Sequence, residues 1–405
     1  MLKKAQDILK KFSKDVWVMY NHENSDRYFC KLISDNLATS SICFISQTKV
    51  YVLVNELDSK NIYDLKYKDE NLHIIVYSTN SDLQEKIEDV IADLKFPKEL
   101  SFSYSTMGDK NIDVLGHGEF ISFSKLIRKP YQKYNKKLKI SSAEKIMYEL
   151  DSEKSDLEIS RLKILATITN KILERTFNNL KIGTTEVQIA NLTRQIAQEV
   201  MFEVMEKLKI VSYDMAWDNC PIVLTGANLA KGGHSLPSNK KLLKGDTIYF
   251  DFGIKAVFSD GMVLYTDMQR MGYALKNGEK MAPKNIQNIF ETLVNSIEEG
   301  MDYTKPGVKG YVVDTIVRQK ITKAGYPDYN HATGHPVGRQ VHDSGTIITL
   351  KGAKRSRIGL VENGIYTLEP RINIANGGSI EEMILVTKYG GIPLCDTQKV
   401  LYLVK

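Results

Sequence analysis

The stretch Asp246-Thr-Ile-Tyr-Phe-Asp-Phe-Gly253 sets an acid among apolar and aromatic residues in the second half of the chain. Its β-branched and aromatic residues predict a strand. The turn dipeptide Asp260-Gly261 follows, and Val263 to Tyr273 then predicts the returning strand of a hairpin. This hairpin carries Asp251 and Asp267 in apolar surroundings, where an unpaired carboxylate is costly to bury.

The spacing of these two acids predicts that they lie side by side. In an antiparallel hairpin, directly opposed residues have a constant sum of positions and point to the same face. Asp251 and Asp267 centre on position 259, inside the expected loop. A minimal turn at 260 and 261 would shift this register, so the prediction requires a longer loop, taken as Lys255 to Val263, or a bulge.

A second pair of acids repeats the pattern near the C-terminus. Glu369 and Glu381 centre on Ala375, beside the turn signal Asn376-Gly377-Gly378. Two hairpins that each present paired carboxylates on one face can build a carboxylate-bridged centre for two metal ions. A histidine in a turn flanked by glycine, His335, would add a nitrogen donor to this centre.

Five side chains therefore predict a site for two divalent cations: Asp251, Asp267, His335, Glu369 and Glu381. Two cations would cancel the four carboxylate charges. Metals roughly 3.5–4 Å apart would share a bound water and lower its pKa, and the resulting hydroxide would attack an amide carbonyl. The oxyanion and the leaving amine need further donors, for which His234 and His342 are the candidates, and Glu369 could also relay the proton.

Other residues around these motifs have two possible roles each. His331 is predicted to form a wall of the site or to support a metal ligand. Arg371 would share the strand face of the nearest glutamate, where it could hold a substrate carboxylate, but a surface role is equally open. Trp217 could line the pocket or pack in the core. Glu382 is predicted to point away from the site, and Asp260 to serve the turn.

The length of 405 residues predicts more than one core. Residues 1–150 alternate short β-runs with helical patterns and predict a small α/β domain, which includes a hairpin of Ser41–Ile45 and Val50–Val54. Residues 128–155, rich in lysine and tyrosine, predict a linker that runs into a helix. Residues 151–405 would form the catalytic domain.

The second part of the chain shows a weak internal duplication. Helical periodicity begins at Leu157 and continues in a second helix through Val200, and a similar pair follows near 285–299 and from Val312 to Ala324. Each helix pair precedes a strand-rich stretch that carries part of the acid cluster. The pattern predicts two α-plus-β halves that face each other across a cleft.

Composition indicates the class of protein. A hydrophobic content of 42%, a charged content of 26% and a net charge of +6 are typical of a globular protein with a solvated, lysine-rich surface rather than a nucleic-acid-binding face. The chain has no apolar run long enough for a membrane span. Its four cysteines show no framework spacing, which favours reduced thiols, and we expect a cytoplasmic protein.

The ordered motifs resemble those of the creatinase, aminopeptidase P, prolidase and methionine aminopeptidase family, the "pita-bread" metallopeptidases, and most closely the aminopeptidase P and prolidase branch. The resemblance is carried by Asp251-Phe-Gly253, Thr266-Asp267-Met-Gln-Arg270, His331-Ala-Thr-Gly-His335, His342, Glu369-Pro370 and Ile380-Glu381-Glu382. It implies an α+β pita-bread catalytic domain after a creatinase-type N-terminal domain.

The resemblance also implies roles for the site residues. Asp251 would bind one metal, Asp267 and Glu381 would bridge both, and His335 and Glu369 would bind the other. Manganese or cobalt is favoured as the metal, with zinc or iron as alternatives. A homodimer is the expected assembly, and the substrate would be a peptide or a small amide.

Departures from the family pattern affect the substrate more than the metal ligands. The interval between the first two acids is longer than is usual in the family, and Pro336 and Arg371 stand where glycine is common. Gly233-His234-Ser235 replaces a frequent His-Tyr pair. Creatinase itself lacks the metal set, so its metal-free reaction is disfavoured here.

Three functions remain open from the sequence. The first is a dinuclear metallopeptidase that releases an N-terminal residue or splits an Xaa-Pro bond. The second is an amidohydrolase on the same fold that acts on a small non-peptide C–N bond. The third is a pseudoenzyme that binds a peptide or nucleic acid; such proteins usually lose ligands, whereas this chain retains all five.

Overall fold

The computed structural model describes residues 2–63, 71–231 and 235–405. The chain divides into two compact units, residues 1–151 and 152–405. Within the described ranges, no helix combines the length and the hydropathy that a membrane crossing requires.

The first unit is built on one mixed sheet of six strands in the order β4-β3-β2-β1-β5-β6. The strands are β1 Val16–Asn21, β2 Ser41–Ser46, β3 Val50–Asn55, β4 Leu72–Tyr77, β5 Glu99–Phe102 and β6 Lys139–Ser142. The helices are α1 Leu2–Lys11, α2 Arg27–Leu32, α3 Ser59–Tyr63, α4 Asn80–Asp93, α5 His117–Lys133 and α6 Glu144–Ser152, with a 3-10 turn at Glu56–Asp58.

The predicted hairpin of this unit is confirmed, because β2 and β3 pair antiparallel from Ser41↔Val54 to Ile45↔Val50. The predicted linker at 128–155 is wrong. Its lysines are mostly exposed, but Ile140 in β6 pairs in parallel with Leu100 in β5. The apolar positions between the lysines therefore add an edge strand to the sheet and a helix, α6, with buried side chains.

The second unit contains four long helices and twelve short strands among its described residues. The helices are α7 Asp156–Asn179, α8 Glu186–Leu208, α9 Lys284–Tyr303 and α10 Gly310–Lys323, with 3-10 turns at Gly226–Lys231 and Lys354–Arg357. The strands are β7 Ile210–Met215, β8 Ile222–Thr225, β9 Thr247–Phe252, β10 Ile254–Phe258, β11 Val263–Tyr265, β12 Met268–Ala274, β13 Ile365–Leu368, β14 Arg371–Ile372, β15 Gly378–Ser379, β16 Glu382–Thr387, β17 Gly390–Pro393 and β18 Tyr402–Val404.

The helices begin where the sequence supplies caps. Ser155 and Glu158 form a capping box at the start of α7, and Thr185 and Gln188 do the same for α8. The second helix continues to Leu208 instead of ending at Val200. One apolar core lies under α7 and α8 and a second lies under α9 and α10, which agrees with the two predicted α-plus-β halves.

The first acid-bearing hairpin differs from its predicted register. Asp251 in β9 pairs with Gln269 in β12, not with Asp267. The residues expected to form a long loop are instead paired strands, β10 with β11, and only Ser259 to Met262 turn. The reason is the alternating burial of β10, whose inward side chains join the core and keep the hairpin extended.

The second acid-bearing hairpin has the predicted register. Leu368 lies opposite Glu382 in the pairing of β13 with β16, and Arg371 lies opposite Ser379 in the pairing of β14 with β15. Both pairs have the same sum of positions. Glu369 and Glu381 are therefore opposed across the ladder.

Candidate metal centre

The first hairpin presents its two acids on one face, offset along the ladder. Asp251 accepts hydrogen bonds from the Tyr249 hydroxyl at 3.1 Å and from Gln269 Nε2 at 3.4 Å. Asp267 lies just before β12, where Gly253 passes so close to the Thr266 carbonyl that a Cβ atom would be 2.0 Å from its oxygen. Glycine at this position lets the two strands approach next to the acids.

A backbone bridge at Glu381 joins the second hairpin to the first. Gln269 and Glu381 exchange two backbone hydrogen bonds, of 3.3 Å and 3.1 Å. Gln269 Nε2 also donates to Glu369 Oε2 at 3.2 Å. One glutamine side chain therefore contacts a carboxylate of each hairpin, Asp251 and Glu369.

The loop that carries His335 runs along β13. Thr367 N donates to the His335 carbonyl at 2.8 Å, and Glu369 N donates to the Thr333 carbonyl at the same distance. Gly334 is needed for this approach, since a Cβ atom there would lie 1.9 Å from the Thr367 carbonyl oxygen. From this position His335 Nε2 reaches carboxylate oxygens of three acids: Asp267 at 3.6 Å, Glu369 at 3.5 Å and Glu381 at 3.9 Å.

The carboxylates of this cluster repel one another in a buried environment. Burial raises the pKa of Asp267 well above its ordinary value, and the charges of Asp251 and Glu369 raise it further. Burial and then Asp267 raise the pKa of Glu381 in the same way. Burial and Asp251 raise the pKa of Glu369 to about 8, against smaller lowering effects of Gln269 and Arg371.

The donor set fits divalent cations. One ligand atom from each of Asp267, His335 and Glu381 lies within 4.8 Å of the others. Asp267 Oδ1 and both Glu381 carboxylate oxygens are buried and accept no hydrogen bond of normal geometry from the part of the chain that the structure describes, although Thr367 lies near enough to lower the pKa of Glu381. Oxygens left in this state, beside an imidazole, are what a metal ion would satisfy.

A cavity of about 350 Å³ opens beside the acids. Its lining includes Asp251, Glu369, His331, Arg371 and Lys231. The volume falls in the range of small-ligand sites, roughly 300–1,000 Å³. The cavity therefore offers space for a substrate next to the candidate metal ligands.

The histidines predicted near the site differ in their exposure and contacts, and one lies outside the described residues. His342 is exposed, and its ring centroid lies 4.3 Å from that of His335. His234 lies outside the described residues. His331 lines the cavity, and α10 holds its backbone, because Arg318 donates to its carbonyl oxygen.

The structure shows the environments of Arg371 and Trp217, for each of which the sequence left two roles open. Arg371 is only 2% exposed, so the surface alternative is wrong. Its guanidinium lies 4.6 Å from the Tyr249 ring centroid and donates to the Leu229 carbonyl at 3.2 Å. Trp217 packs against the core under α7 and α8 and is absent from the cavity lining.

The two acids predicted to lie outside the metal site both form ion pairs. Glu382 forms a buried ion pair with Arg270 at 3.1 Å and points away from the centre, as expected. Asp260 lies in the turn and pairs with Arg161 at 2.9 Å.

The sequence reasoning missed Gln269, Tyr249 and Ser379. The Ser379 hydroxyl donates to Gln269 Oε1, which fixes the amide so that its nitrogen faces the two acids. A signal was present, since Gln269 lies two residues after Asp267 and so on the same strand face.

The family comparison agrees with this geometry. The model of metallopeptidase family M24 matches residues 160–388, which is more than half of the chain. A peptidase of Staphylococcus saprophyticus is 30% identical over 249 residues, 61% of this chain and 63% of that protein. A peptidase of Staphylococcus haemolyticus is 28% identical over 246 residues, with 60% and 62% covered. The matches thus span less than two thirds of either relative.

Solved structures resemble the whole chain. An X-Pro aminopeptidase from Thermotoga maritima MSB8 has a TM-score of 0.64 at 20% identity, with 98% of this chain and 100% of that chain covered. An Xaa-Pro dipeptidase from Bacillus anthracis has a TM-score of 0.66 at 20% identity, with 100% and 99% covered. The dipeptidase PepE from Mycobacterium ulcerans has a TM-score of 0.70 at 18% identity, with 100% and 96% covered.

These likenesses confirm the predicted fold, a pita-bread unit preceded by a smaller α/β unit. The family match confirms the predicted resemblance. The chain belongs to metallopeptidase family M24.

Proposed function

We propose that the chain is a dinuclear metal-dependent hydrolase that cleaves a peptide bond near a free N-terminus, as an Xaa-Pro aminopeptidase or dipeptidase. The observation that carries the proposal is the convergence of three acids on His335 Nε2, within 3.9 Å, while oxygens of Asp267 and Glu381 accept no hydrogen bond of normal geometry from the described residues. Membership of a metallopeptidase family supports it. So do the names of three structures with this fold: X-Pro aminopeptidase, Xaa-Pro dipeptidase and dipeptidase.

The same five side chains would hold the metals: Asp251, Asp267, His335, Glu369 and Glu381. Two divalent cations would supply Lewis-acid activation of water and of the scissile carbonyl. The chain's own contribution is to hold the donors in place before the cations bind. Gln269 does so for Asp251 and Glu369, because its amide nitrogen donates to both.

Proton transfer would fall to residues at the edge of the cluster. Glu369 is the first candidate, because its carboxylate lines the cavity and could pass a proton from the attacking water to the leaving amine. His342 lies against His335 and is exposed, so its imidazole can meet the substrate carbonyl oxygen from the solvent side. His234 is assigned a similar role from the sequence alone.

Substrate binding would use the cavity next to Glu369. Arg371 lines it, is nearly inaccessible to bulk water and has an Nε atom without a hydrogen-bond partner among the described residues. A guanidinium in this state is suited to a substrate carboxylate. His331 would form a wall of the same cavity.

Metal analysis and a substrate panel test the proposal. Protein purified without chelators should contain two divalent cations per chain, with manganese or cobalt giving the highest activity on reconstitution. Xaa-Pro dipeptides and longer Xaa-Pro peptides should be hydrolysed, and small non-peptide amides should not. The proposal fails if the metal-loaded protein hydrolyses none of the peptides.

A further inference from the structure

The loop after His335 is closed on itself, so that His342 returns to His335. Asp343 N donates to the Pro336 carbonyl at 2.8 Å, and Gly338 N donates to the Gln340 carbonyl at 3.0 Å. The segment from 338 to 345, here named the His342 loop, has no regular secondary structure. Something other than helix or sheet hydrogen bonds must therefore hold it.

A buried ion pair fastens the far end of the His342 loop. Lys154 Nζ lies 3.1 Å from Asp343 Oδ2, and the two side chains are 0% and 3% exposed. Asp343 Oδ2 also accepts a hydrogen bond from Arg339 N at 2.9 Å. Burial lowers the pKa of Lys154, and the Asp343 charge opposes this effect.

A second ionic contact fastens the near end. Arg339 donates to Glu158 through Nε at 2.6 Å and through a terminal nitrogen at 2.9 Å, and it also donates to the Glu153 carbonyl at 3.0 Å. Glu158 is the residue that completes the capping box of α7 with Ser155. The His342 loop is thus tied to the first turn of a long helix.

Packing leaves little room between these contacts. Gly338 has φ +137°, and a Cβ atom there would lie 2.9 Å from Lys154 Cε and 3.1 Å from Leu162 Cδ1. The Lys154 side chain therefore fills the space under the loop as well as neutralising Asp343. All these residues belong to the second unit.

We propose that Lys154 is a positioning residue, which together with Asp343 holds the His342 loop so that the His342 ring stays against His335. A buried ion pair adds little net stability compared with an apolar pair, and its better-attested use is to specify one conformation. The inference rests on the proposed role of His342 in hydrolysis.

A double-mutant cycle tests the coupling between Lys154 and His342. K154M should lower kcat for an Xaa-Pro dipeptide by about tenfold with little change in KM, since small misplacements of a catalytic group cost this much or more. In the H342A background, K154M should lower kcat no further. Lys171→Met is the matched control, because Lys171, in α7, belongs to an exposed ion pair with Glu203, in α8, and its kcat should be unchanged.

A second readout does not depend on activity or on metal. Diethyl pyrocarbonate modifies exposed imidazoles, and mass spectrometry gives the rate at each histidine. In metal-free protein, K154M should change the rate at His342 several-fold. Three exposed histidines of the first unit, His22, His73 and His117, should react at unchanged rates and serve as internal controls.

The outcomes separate this inference from the proposed function. Equal losses of kcat from K154M in both backgrounds, or an unchanged modification rate at His342, would overturn the positioning role. If H342A keeps full activity, the catalytic role of His342 fails, and the modification rate alone then decides whether Lys154 positions the loop. If K154M does not fold, D343N removes one charge of the same pair and the same measurements apply.

Discussion

The two hairpins that carry the acids each contribute two carboxylates to the cluster, but their registers differ. In the second hairpin, the pairings of Leu368 with Glu382 and of Arg371 with Ser379 bring its two glutamates opposite each other. In the first hairpin, Asp251 lies opposite an amide, Gln269. Asp267 is displaced along the strand towards His335.

The difference shows how four carboxylates can share a small volume. Directly opposed like charges are destabilising. The first hairpin separates its acids along the ladder, and the amide at the opposed position donates to an acid of each hairpin, Asp251 and Glu369. In the second hairpin the acids are opposed, and none of the described residues gives the Glu381 carboxylate a hydrogen bond of normal geometry. We therefore expect the second hairpin to depend more strongly on cations.

The strongest effect should come from removing, in either hairpin, the acid that the family resemblance assigns to both metals. D267N and E381Q should each lower kcat/KM for an Xaa-Pro dipeptide by roughly 10³-fold, because each removes charge that would hold both cations. Metal content by mass spectrometry should fall from two to one or fewer per chain. D260N, in the exposed turn of the first hairpin, is the control and should keep both metals.

Unequal effects of D267N and E381Q would contradict a shared role of the two hairpins. If D267N kept two metals and full activity while E381Q lost both, the first hairpin would have no bridging role. The centre would then rest on Asp251, the second hairpin and His335.

The next largest effect should come from Gln269, which connects the hairpins. Q269L removes the donor to Asp251 and Glu369 and should weaken metal binding by about 10–100-fold, as loss of a supporting contact usually does. Titration calorimetry with manganese would measure it. Gln195→Leu, on the exposed side of α8, should leave the affinity unchanged. Equal affinities for Q269L and the parent protein would show that the acids are positioned without this amide.

Substitutions at Arg371 test the face of the second hairpin that borders the cavity. R371M should lower kcat/KM by about 10–100-fold for a dipeptide with a free carboxylate, the magnitude of a lost hydrogen bond to a charged group. The same dipeptide with a C-terminal amide should be affected little. R371K keeps the charge and should recover only part of the loss. A similar loss on both substrates would assign Arg371 to the support of Tyr249 and Glu369 instead.

The sequence predicted the second hairpin better than the first for a physical reason. The turn Asn376-Gly377-Gly378 lies beside the midpoint of its two glutamates, so the constant-sum rule gives the observed register. In the first hairpin, Asp260-Gly261 lies off the midpoint of its acids. The buried alternation of β10 fixed the true register, and the choice between a loop and a strand extension depends on core packing that the sequence does not display.

In the rest of the centre, too, the sequence predicts residue types but not the tertiary contacts that orient them. The acids and the histidine are recognisable because their residue types are typical of metal ligands, and the fold is implied by the family that their order resembles. The orientation of Gln269 by Ser379 and the burial of Arg371 depend on contacts between residues more than one hundred positions apart. Such tertiary contacts have no local pattern in the sequence, as the supposed linker at 128–155 also illustrates.

The weakest effect should be the release of a proton from the second hairpin when metal binds. The pKa of Glu369 is raised from the ordinary value of 4.5 to about 8 by burial and by Asp251, so we expect the acid cluster of metal-free protein to hold a proton at pH 7. Cations must displace this proton. Titration calorimetry at pH 7 in two buffers with different ionisation enthalpies should therefore show proton release. The apparent metal affinity should rise as the pH approaches 8.

The stability of the metal-free protein should depend on the same group, with the sign set by its raised pKa. The stabilising effect of the proton on Glu369 is fully present below the unfolded pKa of about 4.5 and is lost as the pH rises through the folded value of about 8. The melting temperature of metal-free protein should thus fall between these pH values, and saturating manganese should remove the fall. E369Q cannot titrate and should show a smaller fall; an E369Q curve parallel to that of the parent protein would assign the proton to another member of the cluster, such as Asp267.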